Sequence, residues 1–134
     1  MNQRPLSPHL GVYKFMYTMT LSIMHRITGG AATVGFLVFV WWLMALASGP
    51  AAYESALRIL TSPLAKLLLI GFTFSFVYHF CNGIRHLVWD TGRGLERAQA
   101  RRSGAVVIVA ALLITALVVW LGCAALASSP GAAP

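Results

Sequence analysis

The sequence predicts an all-α membrane protein of three transmembrane helices, with its N-terminus in the cytoplasm and its C-terminus outside. Three observations carry that reading. Of 134 residues, 58% are hydrophobic and only 10% charged, against about 25% charged in soluble domains. Three stretches, 27–53, 67–84 and 103–134, contain no Asp, Glu, Lys or Arg. A helix needs about 20 apolar residues to cross a hydrocarbon core of about 30 Å, so each stretch serves for one crossing. Finally, eight of the ten basic residues fall on one side: Arg4, Lys14 and Arg26 at the start, and Arg85, Arg93, Arg97, Arg101 and Arg102 between the second and third stretches. The positive-inside rule places that side in the cytoplasm.

The same distribution argues against a nucleic-acid partner, although the net charge is +7. The basic residues are spent on topology rather than gathered into one binding face. The runs are continuously apolar, which excludes the alternating strands of a membrane barrel. No short apolar core with a cleavage site follows the N-terminal charges, so no removable signal peptide is expected. Cys81 and Cys123 both fall within predicted spans; they read as packing residues and are too few for an iron–sulfur cluster.

The chain is expected to form one membrane-anchor domain over 1–134: an arm over 1–19, then spans over about 20–47, 64–88 and 104–127. Pro5 and Pro8 hold the start of the arm extended, while Val12, Tyr13, Phe15 and Met16 suit the headgroup layer. The first span opens with Ser22, Ile23, His25 and Arg26, followed by Gly29 and Gly30. Ser22 and Arg26 are four apart and share one helix edge, and the glycines leave a groove that a flat ring or a second backbone can approach. The loop after Ser48 contains Gly49-Pro50 and a stretch over 53–60 long enough for one or two helical turns, with no evident chemistry. Pro63 is a good first-turn residue for the second span, whose end charges, Lys66 and Arg85, are expected to reach for the headgroups. The polar loop over 89–102 suits a cytoplasmic partner or anionic lipid. The third span has no titratable group and reads as scaffold.

The chemistry concentrates at the end of span two. His79 lies in the charge-free run, where an imidazole loses water and needs a partner. Ser75, His79, Asn82, Gly83, His86 and Asp90 make one stripe of small or polar groups. Counting 1.5 Å per residue from Arg85 puts His79 about 9 Å inside the cytoplasmic interface, with Ser22, His25 and Arg26 approaching that boundary from span one. A neutral imidazole beside Gly83, flanked by cationic groups nearer the headgroups, suits an axial haem ligand with its propionates facing those groups. The alternative for a lone intramembrane histidine is a hydrogen bond to a neighbouring helix. His25 and His86 are expected nearer the surface and His9 outside the spans, so the second axial ligand should come from another chain.

Three blocks, Arg4-Pro-Leu-Ser-Pro-His-Leu10, Ser22-Ile-Met-His-Arg-Ile-Thr-Gly29 and His79-Phe-Cys-Asn-Gly-Ile-Arg-His-Leu-Val-Trp-Asp90, closely resemble the large cytochrome b membrane-anchor subunits of succinate dehydrogenase, respiratory complex II. The resemblance implies haem b ligated by His79 and shared with a small anchor subunit that supplies the other ligand. It implies that Ser22, Ile23 and Arg26 line the ubiquinone site beside the iron–sulfur subunit, that His25, Arg26 and His86 surround the haem propionates, and that Asp90 orients basic neighbours. It further implies docking of the flavoprotein and iron–sulfur subunits. This chain has no dinucleotide fingerprint and no cysteine cluster with which to oxidise succinate itself. A bacterial cytoplasmic membrane is the expected location. Two other readings stay open: the anchor of a quinol:fumarate reductase, and a haem-free structural or transporter protein, which would be expected to carry an acid within a span.

Overall fold

The computed structural model describes residues 16–128, which form four helices and no strand: α1 Tyr17–Ala47, α2 Pro50–Leu60, α3 Pro63–Asp90 and α4 Arg97–Ala127. The arm over 1–15 and the tail after Ser128 lie outside the described residues, and with them His9 and the first resemblance block.

Local chemistry sets the helix boundaries. Gly49, with φ of 108°, takes the left-handed turn that separates α1 from α2 at little steric cost, and Pro50 then supplies a preformed first turn. Ser62 caps α3 by accepting from the Ala65 amide at 3.3 Å, with Pro63 at the first helical position, a combination that satisfies one exposed donor and needs none from proline. At the far end of α3, the Gly92 amide donates to the Trp89 carbonyl at 2.8 Å as the chain turns away.

Three helices are long and apolar enough to cross a membrane. With 31, 28 and 31 residues they run about 46, 42 and 46 Å at 1.5 Å per residue, more than the hydrocarbon core requires. The excess lies where the basic residues are. α1 takes in Tyr17, Thr18 and Met19 from the expected arm, and α4 begins at Arg97, seven residues ahead of the expected span. A helix satisfies its own backbone and continues into the headgroup layer, so charge-free runs mark the apolar crossing rather than the helix. The expected turns over 53–60 form the three-turn α2.

α3 is central, antiparallel to both α1 and α4 and packed on each. The small core consists of Val77, Tyr78, Val107 and Ala111, with Met24, Phe74, Cys81 and Ile108 against it. Tyr78 is fully buried, and its hydroxyl donates to the Leu21 carbonyl of α1 at 3.2 Å. Gly104 of α4 faces Leu21 and Tyr17 so closely that a Cβ there would collide with them. Beyond Thr28, α1 buries no residue; its Phe36, Leu37, Phe39 and Met44 remain exposed.

Candidate functional site

His25 projects from the third turn of α1 toward α3, and His79 projects from α3 toward α1. Their rings stack face to face, centroids 4.0 Å apart and planes within 5°. The His79 ring also reaches Gly29, one turn further into the span than His25, in keeping with the expectation that His25 lies nearer the charged end. His86 tilts against His25 at 5.1 Å and meets Trp89 edge-on at 5.0 Å.

The His79 ring is held by two features of α1. Its Nδ1 lies 3.0 Å from the His25 backbone carbonyl. A carbonyl only accepts, so Nδ1 carries the hydrogen in this bond. Gly29 makes room for the ring, since a Cβ at that position would stand 2.8 Å from Cε1 and 3.1 Å from Nδ1 of His79. The ring is thereby held in one orientation with Nε2 turned away from the carbonyl, the arrangement in which a metal-ligating histidine offers its second nitrogen. The His25 Nδ1 is buried and has no hydrogen-bond partner among the described residues. Face-to-face stacking at 4.0 Å leaves no space for a planar macrocycle between His25 and His79, so this pair cannot ligate one iron from opposite sides. Among the described residues, no three His, Cys, Asp or Glu side chains are grouped to hold a metal ion.

Ser22, Ile23 and Arg26 occupy the adjoining, outward side of α1, and all three are exposed. The Ser22 hydroxyl makes no hydrogen bond among the described residues, unlike Thr20 and Thr28 on the same helix, which bond to carbonyls one turn back. Gly83 has no atom within 4 Å of where its Cβ would stand. Asp90 is exposed at the end of α3 and pairs with no basic neighbour among the described residues.

The expected single polar stripe on α3 divides in two. His79 and His86 turn toward α1, whereas Asn82 turns to the α4 side with Arg85. Arg85 is corrected from a headgroup anchor to a buried residue, 7% exposed. It donates to Asn82 Oδ1 at 3.1 Å, to Ser103 Oγ at 3.0 Å and to the Ala100 carbonyl at 2.8 Å. Its guanidinium also lies 3.9 Å from the Trp89 ring centre, a cation–π contact. The sequence held a signal for this: Tyr78, Asn82, Arg85 and Trp89 recur at spacings of four, three and four, the seam of a helix packed on a partner.

The sequence profile of the succinate dehydrogenase/fumarate reductase transmembrane subunits matches residues 1–119. The chain belongs to that family. It is 40% identical over 121 residues to the succinate dehydrogenase cytochrome b556 subunit of Rickettsia prowazekii, covering 90% of this chain and 93% of that protein. It is also 40% identical over 114 residues to the cytochrome b556 subunit of Paracoccus denitrificans, covering 85% and 88%, and 39% identical over 117 residues to the mitochondrial cytochrome b560 subunit of Sus scrofa, covering 84% and 68%. Three long apolar helices suit a transmembrane subunit, and the imidazole cluster and the Ser22–Arg26 edge are polar features set among them.

Proposed function

We propose that this chain is the large membrane-anchor subunit of succinate dehydrogenase, helping to hold haem b through His79 and forming part of the site where ubiquinone is reduced. The observation that carries the haem assignment is the His79 Nδ1 contact to the His25 carbonyl. Metal-ligating histidines characteristically donate the second ring N–H in this way, which fixes the ring and raises the basicity of the ligating nitrogen. The close fit of the ring against Gly29 supports the same reading. Haem b, when bound, supplies a one-electron carrier. With His25 stacked on His79, a further ligand for the haem would be supplied by the small anchor subunit. His25, Arg26 and His86 provide the polar surroundings of the propionates, and Gly83 leaves space beside the ligand.

Ser22, Ile23 and Arg26 present an outward edge of α1 to quinone and to the iron–sulfur subunit. The Ser22 hydroxyl donates to a quinone carbonyl, the Ile23 side chain packs on the ring, and the Arg26 guanidinium favours the negative charge that develops as the ring is reduced. Succinate chemistry stays on the flavoprotein, with electrons arriving through the iron–sulfur subunit. The basic end of the bundle faces the cytoplasm of a bacterium, and both soluble subunits dock there. Asp90 at that end orients basic groups of a partner.

Two substitutions test this. His79→Ala in the purified complex should abolish the b-type absorption while leaving the subunits assembled; full haem content with an unchanged reduced spectrum refutes the ligand assignment. Ser22→Ala and Arg26→Leu should each lower quinone reduction, while succinate oxidation with an artificial acceptor continues. Unaltered rate and KM for quinone in both variants refute the pocket.

A further inference from the structure

Thr28 lies one turn beyond His25 and is buried, 6% exposed. Its hydroxyl lies 2.8 Å from the Met24 carbonyl and 3.1 Å from the His25 carbonyl. A hydroxyl bonding one turn back is common in helices, and Thr33, Ser48, Ser55 and Thr73 do so here, each from an exposed position and to one carbonyl alone. Thr28 differs because its second acceptor is the same carbonyl that receives the His79 Nδ1–H. One oxygen therefore stands between the hydroxyl and the imidazole.

We propose that Thr28 is a positioning residue that sets the donor strength of His79 through the His25 carbonyl. Hydrogen bonds into one oxygen compete for its electron density. While the Thr28 hydroxyl draws on that oxygen, the Nδ1–H bond of His79 is weaker and Nε2 is a less electron-rich donor. Without the hydroxyl, the carbonyl pulls harder on Nδ1–H, the ring gains imidazolate character, and the oxidised state of a ligated iron is favoured. The hydroxyl thus raises the reduction potential of the group that His79 holds. This rests on the reading of His79 as a haem ligand.

The experiment is a redox titration of the b-type absorption in purified complex carrying Thr28→Val or Thr28→Ser, together with the low-spin ferric electron paramagnetic resonance spectrum. Thr28→Val removes the hydroxyl at nearly constant volume. At a fixed ambient potential it should raise the ferric-to-ferrous ratio about threefold, the scale of a partial change in one hydrogen bond. For a one-electron couple at 59 mV per tenfold, that is a potential lower by about 28 mV. The ferric g-values should shift with it. Thr28→Ser loses only the methyl group and should retain the wild-type potential. Thr28→Ala, which also lacks the hydroxyl, gives the same comparison if the valine variant does not assemble. A hydroxyl-free variant with the wild-type potential and spectrum overturns the proposal, as does a serine variant that shifts as far as valine. His79→Ala, measured alongside for haem content alone, separates failure of the ligand assignment from failure of this one.

Discussion

Gly29→Ala adds one methyl group at the point where α1 and the His79 ring are closest. That carbon would stand 2.8 Å from Cε1 and 3.1 Å from Nδ1. To relieve the contact from 2.8 to 3.4 Å, where ordinary packing begins, the ring must move by about 0.6 Å. A shift of this size strains the 3.0 Å bond to the His25 carbonyl and changes the direction of Nε2. Overpacking of this kind costs about 1–3 kcal/mol, whereas Ala in place of Gly favours the helix by about 1 kcal/mol. The net cost to the chain is then about 0–2 kcal/mol, and the displacement of the ring should appear in haem binding. Loss of an orienting contact to a ligand typically lowers metal affinity by about 10- to 100-fold. The assay is haem per complex by the pyridine haemochrome method, across a haem titration of the purified assembly. Gly30→Ala is the internal control. Its added carbon would meet nothing within 4 Å, and the variant should retain full haem with a small gain in thermal stability. Wild-type haem affinity in Gly29→Ala, or equal losses in both variants, refutes the reasoning.

Three further outcomes follow from the packing. Arg85→Met should lower the thermal stability of the purified complex by about 2 kcal/mol, since charge-assisted bonds of about 1.5–3 kcal/mol each are lost but a buried charge is relieved; an unchanged melting temperature contradicts the buried network. Tyr78→Phe removes the donor to the Leu21 carbonyl and should cost about 0.6 kcal/mol, the average for such bonds in membrane helices, read as a small drop in the denaturant midpoint of the complex. Gly104→Ala, crowding Leu21 and Tyr17, should destabilise by about 1–3 kcal/mol, whereas Gly122→Ala, with open space around it, should show the same small gain as Gly30→Ala in the thermal assay.

Much of the fold could be read from the sequence, because charge-free runs report where hydrocarbon is crossed. His79 stood out for a related reason, being an imidazole where water is scarce. What could not be read was anything set by how the helices meet. Arg85 sits at the end of an apolar run, and by position alone it belongs in the headgroups; the acceptors that bury it, Ala100 and Ser103, lie 15 and 18 residues away on α4. Small residues at 100 and 104 allow that approach, a fact of pairing rather than of composition. Likewise, no spacing along either helix gives the stacking of His25 on His79, which depends on how α1 and α3 meet at contacts such as Tyr78 with Leu21. Thr28 resembled any helical threonine until the His79 ring was seen to share its acceptor.

Among the described residues, the side-chain polar bonds between the three long helices lie in one half of the bundle: Tyr78 to Leu21, His79 to His25, and Arg85 to Ser103 and Ala100. Toward the other end, α1 and α3 meet through apolar contact, with Gly35 against Phe72 and a groove lined by Phe36, Phe39, Leu69 and Phe76. Apolar faces slide and tilt against one another more readily than directional bonds permit. Adjustment to a thicker or thinner bilayer, which shifts helix tilt, should therefore be absorbed at the greasy end, with the spacing of the imidazoles held by the bonds at the other.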